Sequence, residues 1–448
     1  MSVHPSRRSR QRPAALPGAR SKVTMVAAVV AAVAAIAVAG LRIHSVLYGG
    51  PIRLRLGNDV PLGSVPPLSS DRDVQRNRLL ALRSAWLTTQ GSRNGALWTA
   101  LGGMALQAGD PMGARAALKR ALALEPHNAR AWERLGNAQV RLGLFNDAAT
   151  TWNTLIALDP QKPAGYIELS RTLTVLGRRA EAADILRRAQ TAVPAADAAG
   201  QGALIQEYDR RGELAHALQL SRHLLDAAPR DEGAQFLLAM LLFKTQQLTE
   251  SRRLLEHLLA AQRHQVQIRR YLAAILTNPL SAHQDARLAE HLLLEAANLD
   301  PTDGGPLLDL ATLYADQGRS RPAAYVLIRL LGMAPASATA RLQLAHAFHR
   351  LGMESQAQVQ DRIAQRLFAR NREADALRTQ IDHRPSDSRA RLALGLHFMR
   401  WGEYGRALPE LEAAVCLSPH FAAARHALAT YYRALGVPPP DYGSGVLQ

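Results

Sequence analysis

Few side chains in this sequence carry reactive chemistry, and none of them stand together. His346 and His349 are spaced to share one helix face, and His397 lies further along. Imidazole nitrogens so placed could bind a metal, but no cysteine or carboxylate completes a ligand set; the alternative is a polar surface lining. The only cysteine, Cys416, sits in Ala413-Ala414-Val415-Cys416-Leu417, on the apolar stripe of a helix. A catalytic thiol needs a base beside it, so a buried, inert thiol is expected. One cysteine also excludes a disulfide framework, a multi-cysteine zinc site and a cysteine-ligated iron–sulfur cluster. There is no Gly-rich phosphate loop followed by Lys-Ser/Thr, no His-Glu-x-x-His, no Gly-x-Ser-x-Gly elbow and no Cys-x-x-Cys-His. The expectation is a protein that is not an enzyme, with no catalytic residue, cofactor or metal.

Apolar residues make up 48% of the 448 residues, charged residues 20% and aromatics 5%. That balance supplies a substantial core and excludes both a disordered chain and a polytopic membrane protein. Basic residues outnumber acidic ones, 54 to 37, for a net charge of +17; four are lysine and fifty arginine. The arginine and alanine bias suggests a GC-rich coding genome and a bacterial source. Residues 1–50 hold seven of the basic residues and no acid, leaving 47 basic against 37 acidic residues in the rest. That remainder could attract phosphates, so a basic nucleic-acid-binding array is an alternative reading. Against it, arginines alternate with acids, as in Arg178-Arg179-Ala180-Glu181 and Asp209-Arg210-Arg211-Gly212-Glu213. Such alternation marks solvated helix faces, and no nucleic acid is expected.

The elements that must position these residues begin with a basic tail, residues 1–22. Val23 to Leu41 follows, nineteen residues without a charge, mostly Ala and Val. A helix of that length reaches roughly 28 Å, close to the hydrocarbon thickness of a bilayer. Six basic residues precede it and three (Arg42, Arg53, Arg55) follow within a comparable distance, which predicts a cytoplasmic N-terminus and an external body. An uncleaved transmembrane signal anchor at 23–41 is the first reading. A cleaved signal peptide is the second, since Ala37-Val38-Ala39 before Gly40 fits a small-residue cleavage site and would release a soluble periplasmic body. A buried Ala-rich helix and a mitochondrial presequence are further alternatives. Arg7-Arg8 suggests a twin-arginine signal, but Ser9-Arg10-Gln11 lacks the apolar residues that usually follow. Residues 42–70, with Gly49-Gly50-Pro51, Pro61 and Pro66-Pro67, read as a linker. A leading helix is expected from Ser70-Asp71 to about Thr89, within a segment 71–93.

Beyond it the chain repeats. Pro126, Pro160 and Pro194 are 34 residues apart, as are Pro301 and Pro335, and Pro385 and Pro419. Trp98, Leu101, Gly102, Ala114, Leu118 and Ala121 recur 34 residues on as Trp132, Leu135, Gly136, Ala148, Trp152 and Leu155, and again as Tyr166, Leu169, Ser170, Ala182, Leu186 and Ala189. Each copy reads as two helices joined by a short turn, such as Leu142-Gly143 or Leu351-Gly352. Two intervals are long. Pro229 to Pro301 exceeds two repeats by four residues, assigned to Asn278–His283; Pro335 to Pro385 exceeds one by sixteen, which either lengthen a helix within Glu354–Asp382 or insert another.

This pattern resembles the tetratricopeptide repeat family. The resemblance covers about residues 94–436, with nine repeats over 94–421, a solvating cap helix at 422–436 and a flexible tail at 437–448. It implies an all-α fold, an α-solenoid forming a right-handed superhelix, here with an N-terminal transmembrane helix. It also implies that the first helix of each repeat lines a concave groove holding a protein or peptide partner. By that resemblance the inner face includes Arg130, Glu133, Asn137, Arg141 and Arg171, able to grip a carboxylate or peptide backbone. A solvated groove wall is the alternative. Phe236, Met240 and Phe243 lie a turn apart, as do Leu308 and Thr312; they either receive a partner helix or pack in the core. The resulting expectation is a single-pass scaffold of the bacterial inner membrane with a periplasmic body, serving secretion, pilus, polysaccharide-export or cytochrome-maturation assembly. The charge bias gives a direct test: protease added to intact spheroplasts should digest the body. Digestion only after lysis reverses the predicted orientation.

Overall fold

The computed structural model describes residues 70–261, 265–281 and 284–440, and among them the chain is twenty α-helices with no strand. The apolar segment at 23–41 lies outside the described residues, and no described helix is long and apolar enough to cross a membrane. Helix α1 is Arg72–Thr89. Nine pairs follow: α2 and α3 (Gly95–Ala108, Pro111–Leu124), α4 and α5 (Ala129–Arg141, Phe145–Leu158), α6 and α7 (Pro163–Val175, Arg179–Ala192), α8 and α9 (Ala198–Arg210, Leu214–Ala227), and α10 and α11 (Glu232–Lys244, Leu248–Ala260). The rest are α12 and α13 (Gln265–Thr277, Ala286–Leu299), α14 and α15 (Gly305–Asp316, Ser320–Met333), α16 and α17 (Ala338–Arg350, Glu354–His383), and α18 and α19 (Ser388–Arg400, Tyr404–Leu417). Helix α20, Ala422–Leu435, ends the series.

Local chemistry sets the boundaries. A proline stops the second helix of a pair, and two residues later a capping side chain opens the next first helix: Asn128 after Pro126, Asp231 after Pro229, Asp387 after Pro385. Asn128 Oδ1 accepts from Ala131 N at 3.0 Å, and Asp387 Oδ1 from Ala390 N at 3.0 Å. Between the helices of a pair, seven of the nine turns use a glycine at positive φ, Gly143 at 74° among them. The fifth pair instead holds Gln246 at φ 61°, a conformation that costs a side-chain-bearing residue about 1–2 kcal/mol. The sixteen extra residues near the C-terminus extend one helix, giving α17 its 30 residues.

The two helices of a pair cross where a side chain is missing. A Cβ on Gly136 would stand 2.4 Å from Trp152 Cη2, one on Gly102 2.5 Å from Leu118 Cγ, and one on Gly395 2.7 Å from Leu411 Cδ2. In the third pair Ser170 takes this place, and its hydroxyl donates to Ala182 O at 2.9 Å. Ala114, Ala148, Ala182 and Ala407 are fully buried at the facing positions. Small residues here let large ones on either side interdigitate with the next pair.

The ends of the array meet. Asp71, just ahead of α1, caps α19 across 333 residues of sequence: its carboxylate accepts from Tyr404 N at 2.6 Å and Gly405 N at 2.9 Å. Ser70 Oγ donates to Gly402 O at 3.0 Å, Gln75 Nε2 to Ala108 O at 2.7 Å, and Arg72 to the carbonyl of Ala434. Met112 N, in the first pair, donates to Glu412 Oε2 of the last at 2.9 Å. One buried cluster joins Leu79, Leu82 and Trp86 of α1 to Leu101 and Leu118, and to Leu411, Tyr431 and Leu435. Helix α20 keeps an exposed face at Arg425, His426 and Arg433, and it also buries the rings of Tyr431 and Tyr432 in the cluster shared with the returning N-terminal elements. Val437, expected in a flexible tail, is buried in the same cluster.

Glu412 is an acid with almost no exposure, beside the equally buried Asp110. Burial, then the Asp110 charge, pushes its carboxyl well above the usual range. A raised folded-state value contributes stability below the ordinary carboxyl range, and this is lost as pH climbs through the raised value. Glu412→Gln keeps the acceptor for Met112 N without the ionisation. The variant should melt higher at neutral pH, by about 1 kcal/mol of stability, and lose part of the pH dependence of melting above about pH 5. Parallel pH profiles for variant and parent would refute a raised carboxyl at Glu412.

Candidate functional site

The first helices of successive pairs pack on one another more closely than the second helices do, which places the first helices on the concave side. The candidate site is therefore the row formed by α4, α6, α8, α10, α12, α14 and α16. Their side chains include most of the residues singled out in the sequence, and the structure divides these into two groups.

One group links repeats to each other. Arg141 Nη1 donates to Leu106 O at 2.8 Å, one pair upstream, and Arg350 Nη1 makes the equivalent bond to Ala315 O at 3.0 Å. Lys244 Nζ meets Asp209 at 2.6 Å, and Arg270 Nε meets Asp309 at 2.6 Å. Arg171 binds Glu168 at 2.6 Å and Glu207 Oε2 through Nη2 at 2.7 Å; Arg210 holds the other oxygen of Glu207. The Glu207 side chain is fully buried. Burial would raise its carboxyl, but the hydrogen bonds from Arg210 and Arg171 outweigh this and hold it below the usual range. Arg141 and Arg171 are thus structural struts as well as groove residues. Arg130 and Glu133 are exposed on α4, and Asn137 is half-buried beside them.

The other group is an aromatic ridge. Phe236, Met240 and Phe243 are half-buried, while Leu237, Leu238, Leu241 and Leu242 of the same helix fill the core. Phe236 and Phe243 stand edge-on to Tyr271 of α12, with centroids 5.9 Å and 5.5 Å apart. Beside the ridge lies a cavity of about 350 Å³ lined by Phe243, Arg270, Tyr271, Asp309, Thr312 and Asp316. Tyr271 and Asp316 were not among the sequence candidates; only the register of α12 and α14 against α10 brings them there.

The remaining candidates do not converge. His346 is exposed, His349 bonds Glu354 and Asp361 at 2.9 Å and 3.0 Å, and His397 is buried, with Nδ1 3.2 Å from Glu373. Among the described residues no group of three or more His, Cys, Asp or Glu is placed to hold a metal ion. Cys416 is half-buried rather than buried, 3.7 Å from Arg115 Nη1 across the meeting of the ends, and burial raises its thiol above the usual range. A second cavity, about 330 Å³, lies where the extended half of α17 crosses α18 and α19. Glu403 bridges Arg370 and Arg406 there at 2.8 Å and 2.6 Å, and Arg406 covers Phe398 at 4.2 Å.

Residues 105–164, from the middle of α2 to the start of α6, match the family model described as tetratricopeptide repeat. With the same helix-pair geometry carried through nine pairs, the chain is a tetratricopeptide-repeat protein. Among solved structures it is similar to the human IFIT1 dimer with PPP-AAAA, at 15% identity and a TM-score of 0.37, the match covering 72% of each chain. It is also similar to a crystal structure of MamA protein, at 14% identity and a TM-score of 0.33, covering 38% of this chain and 91% of that one. A further MamA structure, MSR-1, is 19% identical with a TM-score of 0.33, covering 40% and 98%. No curated protein matches the sequence.

The division of roles changes what alanine substitution should do. From sequence, Arg130, Asn137 and Arg171 appear interchangeable as exposed groove residues whose loss leaves the melting curve unmoved. In the structure, Arg171→Ala removes one of two cations from a buried carboxylate and should cost about 1–2 kcal/mol, whereas Arg130→Ala should stay within about 0.5 kcal/mol. Glu207 has a depressed folded-state value, so its contribution is present above the ordinary carboxyl range and lost as pH falls below it. The difference between the Arg171 variant and its parent should therefore shrink in acid. Equal melting curves for the two single variants at neutral pH would refute the strut role.

Proposed function

We propose that this tetratricopeptide-repeat array is a membrane-anchored scaffold that binds a protein partner along its inner face in the bacterial cell envelope. Binding rather than catalysis is its activity. One observation carries the reading: the half-buried ridge of Phe236, Met240 and Phe243 beside an open cavity on the concave side. A closed core does not leave large apolar side chains half-exposed in a row next to unfilled space, whereas a partner's extended segment or helix would bury them. The stretch Val23–Leu41 with its basic flank supports anchoring, with the N-terminus in the cytoplasm and the array outside it. Assembly of a secretion, pilus, polysaccharide-export or cytochrome-maturation apparatus fits such a tethered scaffold.

The test is site-specific capture in native membranes. A photo-crosslinking amino acid at Met240 of the full-length protein should yield a discrete adduct. The same group at Arg253, exposed on the second helix α11, should not. Adducts from Arg253 but none from Met240 would move the partner site off the inner face.

A further inference from the structure

We propose that the cavity between α10, α12 and α14 receives an arginine or lysine side chain of the bound partner. This deepens the reading of the inner face as the partner site and rests on it. The argument begins with a break in a pattern. The last residue of the first helix is a cation in α4 (Arg141), α8 (Arg210), α10 (Lys244), α16 (Arg350) and α18 (Arg400). The other four end without one, α2 in Ala108, α6 in Val175, α12 in Thr277 and α14 in Asp316, and of these Thr277 and Asp316 line the cavity. The only acid in the row thus coincides with the open space.

The charges within the cavity leave Asp316 uncompensated. Arg270 and Asp309 neutralise one another at 2.6 Å. Arg350 reaches the neighbouring Ala315 carbonyl at 3.0 Å, and among the described residues nothing forms an ion pair with Asp316. Asp316 is exposed at the C-terminal end of α14, the negative end of that helix's dipole. The rest of the lining suits the stem and the flat head of a long basic side chain. Phe243 and Tyr271 offer aromatic surface for a cation, and Ala273, Ala274 and Leu313 offer apolar surface for methylenes. On a chain of net charge +17 the long-range field draws acidic partners, so a local acid beside aromatic rings gives this subsite the opposite selectivity.

The experiment uses purified full-length protein in detergent with two small probes, N-acetyl-arginine methylamide and its neutral isostere N-acetyl-citrulline methylamide. Saturation-transfer NMR at millimolar probe reads their relative affinity. The arginine probe should bind about five- to tenfold more tightly than the citrulline probe, the range of a semi-exposed ion pair with a cation–π contact. Asp316→Asn, an exposed substitution that should leave the melting curve in place, should remove that difference; Tyr271→Ala should weaken the arginine probe alone. Equal binding of the two probes, binding of neither, or a difference that survives Asp316→Asn each overturns the proposal. Capture from Met240 reads the groove separately. Adducts at Met240 without arginine preference sink this inference and keep the groove. Preference lost in Asp316→Asn without adducts keeps the subsite and sinks the groove reading.

Discussion

A pair of helices some fourteen residues long cannot bury its own apolar stripe; each pair is stable only because another lies against it. The spacing between pairs is set where the two helices of a pair cross, at Gly102, Gly136, Ser170 and Gly395 against buried alanines and large neighbours. Over nine stacked pairs the last returns to the first. The meeting of the ends is secured by Asp71 capping α19, Gln75 bonding α2 and the shared core around Trp86 and Tyr431.

The same repetition shapes the electrostatics of the inner face. A cation at the end of one first helix meets the helix before it, as a bond to a carbonyl for Arg141 and Arg350 and as an ion pair for Lys244. Exposed ion pairs of this kind contribute little individually. Their effect on recognition is larger, because a guanidinium already engaged offers fewer donors to a partner. Where the row changes to Thr277 and Asp316, the groove presents a different chemistry from the rest of its length.

What the sequence reveals and what it conceals follow from the range of each interaction. Proline positions, capping residues and the small-to-large pattern act within one repeat, so the 34-residue spacing exposes the helix pairs and the tetratricopeptide-repeat fold. The ladder of cations connects residues 35 apart, and its hint is present in the sequence only as basic residues recurring at helix ends. Arg171 therefore reads as an exposed groove residue although it braces Glu207. Contacts such as Met112 to Glu412 span 300 residues and leave no periodic mark, so α20 reads as a solvated cap alone. The cavity beside Tyr271 is concealed for a related reason: it depends on the register among three helices across the four-residue insertion.

The union of α1 with α19 and α20 has a consequence for how this solenoid comes apart. Linear repeat arrays melt by fraying, since a terminal repeat has one neighbour and peels away at little cost. Here neither terminus is a terminal repeat in that sense, because α1 is sandwiched between the first pair and the last two helices. Unravelling has no loose thread to start from. It must begin by breaching a seam that holds a buried core, a cap and an acid pair at once, so a mechanical pull on the chain ahead of α1 would load the whole seam before any single repeat could yield.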